Sequence, residues 1–209
     1  MKCEVCGMEQ GFAHICSGVA PPLTPEEAEL PPDGLAAGYY LRLAFNIVRW
    51  DDMAVRRAAR DANSLFYGAL LCAVTASIIF FVTSLPGILH RPDANFETIF
   101  LSILLGLLFV WVSLGAIAIV QIGLCHFIAR WFLGATGTFV GVIRPLLLGW
   151  FVNSLAVIPV VGPVAAAIAW MFVFALVLEE VDRIGRLRAF LLSVGINAIS
   201  LALLYLPHQ

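Results

Sequence analysis

The chain has 209 residues, 61% of them hydrophobic and only 12% charged, with a mean hydropathy of +0.96. A soluble domain is nearer half apolar and a quarter charged, so too little polar surface remains here to cover a water-soluble core, and lipid is the expected solvent. A net charge of −2 by itself suggests no nucleic-acid partner, and no H-E-x-x-H, G-x-S-x-G or P-loop pattern offers hydrolytic or nucleotide chemistry.

Residues 1–20 carry Cys3, Cys6, His14 and Cys16, spaced as C-x2-C, seven residues, then H-x-C. Thiolates and imidazole are the ligands a structural zinc ion takes four at a time, and Gly7 lets the chain turn beneath the metal. Met1-Lys2 is followed at once by Cys3, Glu4 and Cys6, with no apolar leader region. The N-terminus is therefore expected to stay on the reducing side, where clustered cysteines bind metal more often than they form disulfides. One structural zinc ion is the expected cofactor. A tail with unliganded thiols and an intermolecular metal or disulfide link are the alternatives.

Residues 21–34 hold five prolines and four acids, the composition of an extended linker. Thr24 to Glu27 matches a capping box. Residues 35–62 then read as an amphipathic helix. Arg42, Asn46, Arg49, Asp52, Arg56 and Arg60 recur near the helical period, with Tyr40, Leu43, Ile47 and Trp50 on another face. This pattern suits the membrane interface, where Arg42, Arg49, Trp50, Arg56, Arg57 and Arg60 would meet anionic headgroups. Packing on the rest of the protein is the alternative.

Residues 63–206 are expected to form an all-α, polytopic membrane domain with five spans. These are Ser64–Pro86, about Ile99–Gln121, about Thr138–Ile158, about Val164–Val181 and Ala189–Leu206. Leu124–Phe132 would follow the second span as an interfacial turn or a helix extension. Pro145 to Leu178 contains no acid or base and is interrupted by Pro159-Val160-Val161-Gly162-Pro163, the break expected between the two arms of a membrane hairpin. Gly137 and Gly141, four apart, permit close helix approach or a flexible re-entry loop. Asn153 and Asn197 lie mid-span, where they either bond between helices or line a polar path. Arg144 is expected to snorkel to the interface.

With five crossings, eleven of the twelve basic residues fall on one side and only Arg91 on the other. The positive-inside rule puts the N-terminus in the cytoplasm and the C-terminus outside. A single crossing by Pro145–Leu178 would move Arg183, Arg186 and Arg188 outward, so that stretch must return to its own side.

Three segments carry a resemblance. His126 to Phe139, with its paired glycines after a helix, resembles the segment before the third span of Yip1-domain membrane proteins. Leu155 to Gly162 resembles that family's turn, and Arg186-Leu187-Arg188-Ala189-Phe190 resembles the start of its last span. Leu147-Leu148-Gly149 departs from the Tyr-Ser common there. The resemblance covers about residues 40–206. It implies a non-enzymatic integral membrane protein, a scaffold or adaptor at the cytoplasmic face that organises or shapes membrane. The cysteine-rich head fits the bacterial branch better, which implies the inner membrane. Expected partners are the bilayer, anionic headgroups and a cytoplasmic protein, and oligomers are compatible with this reading. A small transporter or channel subunit, with Asn153 and Asn197 on a polar path, is the alternative from another class.

Overall fold

The structure, a computed structural model, describes residues 37–90 and 95–205. Every regular element among them is helical: α1 (Ala37–Val48), α2 (Asp52–Arg60), α3 (Asn63–Thr83), α4 (Leu85–Leu89), α5 (Phe96–Phe132), α6 (Phe139–Gly149), a 3-10 stretch (Trp150–Val157), α7 (Gly162–Asp182) and α8 (Arg186–Tyr205). The head with Cys3, Cys6, His14 and Cys16 and the acidic linker lie outside the described residues.

Four stretches are long and apolar enough to cross a membrane: Asn63–Thr83, Phe96–Phe132, Phe139–Val157 and Gly162–Asp182. That is the number given by length and composition among the described residues. α8 occupies the stretch expected to form a fifth span.

The second expected span lies within a longer helix, the extension being one of the two arrangements open for Leu124–Phe132. α5 is one unbroken helix of 37 residues, about 55 Å at about 1.5 Å per residue, against an apolar bilayer thickness of about 30 Å. No proline interrupts its second half, and Gly115 and Gly123 both lie within the helix, so nothing stops it at Gln121. It continues through His126 and Arg130 to a stop at Gly134, which sits at φ +72°. Its outer face leaves Phe109 71% and Val120 67% exposed, apolar surface that suits lipid rather than water.

Glycines let α3 approach α6 and α6 approach α7 closely. A Cβ on Gly68 would lie 2.7 Å from Leu147 Cβ, and one on Gly149 would lie 2.6 Å from Val173 Cγ1. Both positions accept only glycine at this helix separation. Pro145 lies inside α6, and after Gly149 the chain tightens into the 3-10 stretch. Asn153 donates there to the Trp150 carbonyl at 3.1 Å.

The Pro159-Val160-Val161-Gly162-Pro163 segment forms a tight turn. Val161 N–H donates to Pro159 O at 2.8 Å and Gly162 N–H to Ile158 O at 3.0 Å. Val160 takes the left-handed conformation at φ 68°. A side chain on Gly162 would collide with the Leu155 carbonyl. Pro163 falls in the first turn of α7, where a missing N–H leaves no carbonyl unpaired. Beyond the turn α7 packs back on the 3-10 stretch and α6.

The expected single amphipathic helix is two helices. Trp50 sits at φ 65°, and Asp51 caps α2 by accepting from Met53 N–H at 2.9 Å and Ala54 N–H at 3.3 Å. A carboxylate on the two leading amides of a helix starts a new helix in preference to continuing the old one. Tyr40, Leu43, Ala44 and Ile47 of α1 and Ala54, Val55 and Ala58 of α2 are buried. They face α3, α6 and α7, so the segment packs on the bundle, the alternative arrangement to lying free at the interface. Leu41, Phe45 and Trp50 remain exposed beside that packed face.

Candidate functional site at the basic end of the bundle

The C-terminal end of α7 is the point on which the charged residues converge. α7 ends in Glu179, Glu180 and Asp182, with Arg183 in the left-handed conformation at φ 57° as its C-cap. Carboxylates at a helix C-terminus oppose the helix dipole, so each needs a partner. Glu180 Oε2 accepts from Arg56 Nη1 of α2 at 3.0 Å. Glu179 accepts from Arg186 Nε of α8 at 2.9 and 3.1 Å. Asp182 is fully buried, and both its oxygens lie within 3.2 Å of His126 Nδ1 of α5. A buried carboxylate without such a donor would cost several kcal/mol. For Nδ1 to donate, it must carry the proton, whether the ring is neutral or charged.

The loop between α5 and α6 closes over this pair. Thr136 N–H donates to the Asp182 carbonyl at 3.1 Å, and Arg130 Nη1 donates to the Ala135 carbonyl at 3.2 Å. A Cβ on Gly137 would lie 2.5 Å from both Asp182 Oδ1 and the Val181 carbonyl. Gly141, on the first turn of α6, faces Val181 at 3.3 Å. The two glycines do permit close approach, but to the end of α7 and through a loop as well as a helix.

A second polar centre joins α1 to the α2–α3 junction. The Tyr40 hydroxyl donates to Asp61 Oδ2 at 2.6 Å, and its ring stacks on Tyr67 at 4.0 Å. Ser64 Oγ donates to the same oxygen at 3.1 Å, and Asn63 N–H to Asp61 Oδ1 at 2.9 Å. Burial first, and then the adjoining carboxylate, push the Tyr40 hydroxyl pKa well above its ordinary value of 10.0.

Arg144 is engaged by the cap. Its Nη1 donates to the Ala59 carbonyl at 3.0 Å and the Arg60 carbonyl at 3.4 Å, closing the C-terminal turn of α2. Those carbonyls have no partner within the helix, and a cation is the favourable group there. Among the other expected interface residues, Arg42 is exposed, and Arg49 lies over the Phe45 ring at 5.6 Å. Trp50 packs its ring 5.2 Å from Phe172. Arg57 and Arg60 are half-buried on α2.

Asn153 and Asn197 are not brought together. Asn197 accepts from Gln121 Nε2 at 2.9 Å and donates to the Ser193 carbonyl at 2.8 Å, in a buried link between α5 and α8. Neither asparagine lines either of two cavities described among these helices. The pairings His126–Asp182, Arg56–Glu180 and Tyr40–Asp61 had no signal in the spacing, because their members lie on different elements. Among the described residues no group of three or more His, Cys, Asp or Glu could hold a metal ion.

Taken together, the described residues form an all-helical arrangement with the apolar exterior of a membrane protein and a charged cap at one end. No family model, curated protein or solved structure matches it.

Proposed function

We propose that the protein is a five-span, Yip1-like integral membrane scaffold or adaptor, with α1 and α2 as a docking cap on the cytoplasmic face and a zinc-bound head ahead of them. On this reading α8 is the fifth span and α6–α7 the hairpin. The observation that carries the reading is the keying of the cap onto the bundle. Arg56 binds Glu180, Arg144 closes α2, and Tyr40 binds Asp61, so α1 and α2 form a rigid platform rather than a loose amphipathic anchor. Leu41, Phe45 and Arg42 stay exposed on that platform. Apolar side chains mixed with arginines are common in surfaces that bind a protein or enter a headgroup layer.

The test is site-specific photo-crosslinking of the full chain in its native membrane. A probe at Leu41 or Arg49 is expected to give a discrete protein adduct that Arg42→Glu removes. A probe at Phe96, the first residue of α5, is expected to give none. Lipid adducts alone from the cap would contradict the adaptor reading.

A further inference from the structure

A cavity of about 860 Å³ lies between the α1–α2 turn, α7 and α8. Its base is a row of three aromatic rings. Trp50 meets Phe172 at 5.2 Å, and Phe172 meets Phe190 at 5.4 Å. Its mouth is charged and carries Asp52, Glu179 and Arg186. Phe172 and Glu179 are seven residues apart on one helix, so the cavity runs about 10 Å from charged mouth to aromatic base. That is the shape required by an amphiphile, and the volume lies within the usual range for small-ligand sites.

The mouth offers two complementary groups. Asp52, half-buried on the first turn of α2, makes no hydrogen bond or ion pair among the described residues. Arg186 uses only Nε, toward Glu179, and its side chain is 80% exposed. Asp52 and Arg186 stand at the same mouth. An anionic carboxylate and a guanidinium with two free amino groups, set above apolar walls, match a head that carries both a phosphate and a hydrogen-bonding cation.

We propose that this cavity holds one zwitterionic phospholipid with a primary ammonium head, its phosphate on Arg186, its ammonium on Asp52 and the upper part of its chains against Trp50, Phe172 and Phe190. A quaternary ammonium donates no hydrogen bond and would leave Asp52 without one. An anionic head would satisfy Arg186 but would set its net negative charge beside Asp52 and Glu179. Trp50 has a role in this site that its backbone reflects: the left-handed turn at φ 65° brings its indole over α7. The site is independent of the adaptor reading.

The experiment is native mass spectrometry of the full chain in mild detergent, titrated separately with phosphatidylethanolamine, phosphatidylcholine and phosphatidylglycerol of identical chains. The wild type is expected to hold one phosphatidylethanolamine about tenfold more tightly than phosphatidylcholine, as one charge-assisted hydrogen bond would give. Asp52→Asn is expected to bring the two to equal affinity, and Arg186→Gln to weaken both. Glu97→Gln, on the first turn of α5 and outside the cavity, should change neither. As a second measurement, chain-brominated phosphatidylethanolamine should quench tryptophan emission in the wild type and less in Trp50→Phe. Equal binding of all three lipids by the wild type, preference for phosphatidylglycerol, or a preference that survives Asp52→Asn would overturn the proposal. Asp52→Asn removes no hydrogen bond within the described fold, so lost selectivity in that variant reports on the lipid.

Discussion

Arg56 Nη1 and Glu180 Oε2 lie 3.0 Å apart across 124 residues of sequence, and that contact fastens the α1–α2 cap to the end of α7. The pair is only partly shielded, with side chains 30% and 14% exposed. It sits between surface pairs worth about 0–1 kcal/mol and buried ones, where losing one partner costs several. Arg56→Ala is expected to destabilise by about 1 kcal/mol, or about 2–4 °C for a chain of this size. A double-mutant cycle with Glu180→Ala should recover most of that loss as coupling energy. Thermal unfolding in detergent reads it, and additive single effects would show that the contact does not fasten the cap.

Tyr40 provides a pH test. Its hydroxyl pKa is raised in the folded chain, by burial and then by Asp61. A group raised in this way contributes its stability fully below the unfolded pKa near 10 and loses it as pH climbs through that value toward the folded one. Wild-type stability should therefore fall more steeply than that of Tyr40→Phe above pH about 10. At neutral pH Tyr40→Phe should cost about 1–2 kcal/mol through the lost hydrogen bond to Asp61. Parallel pH profiles for the two proteins would contradict the assignment.

Gly137 has no room for a methyl group. Gly137→Ala would put a carbon 2.5 Å from Asp182 Oδ1 and from a backbone carbonyl, and should destabilise by about 1–3 kcal/mol as the loop is forced off α7. Gly115, within α5, has nothing within 4 Å of the added carbon. Gly115→Ala should be neutral or stabilise by up to about 1 kcal/mol through helix propensity. Comparing the two melting temperatures checks the packing, and equal effects would argue against it.

The spans were legible in the sequence because lipid tolerates few charges, so charge-free runs mark their own limits. Ser64–Pro86 was expected where α3 runs Asn63–Thr83, and Val164–Val181 where α7 runs Gly162–Asp182. One feature was hidden. The apolar stripe of residues 35–62 keeps helical phase across Trp50, so only the Asp51 cap shows the break. The helix extension through Leu124–Phe132 was one of the two arrangements open for that stretch, and α5 takes it because no stop signal precedes Gly134. The site was visible only as its members. His126, Asp182, Gln121 and Glu180 stand out as polar residues near apolar runs, but their partners lie 56 to 124 positions away and are selected by packing. Arg144 was expected at headgroups because a free guanidinium prefers water, yet the open carbonyls of α2 lie within its reach.

The zinc expectation is tested by composition. Purified full-length protein should carry about one zinc ion per chain, and Cys3→Ser/Cys6→Ser should lose it, since a structural site needs four ligands. Metal analysis of the two proteins decides it, and a metal-free wild type would remove the site.

The most direct test of the account is the side on which the basic cap lies. Phosphatase fusions after Asp61, after Gly185 and at Gln209 report whether each position is exported. With the cap cytoplasmic and α8 the fifth span, the first two should be inactive and the Gln209 fusion active. An active fusion after Gly185, or an inactive one at Gln209, would contradict it.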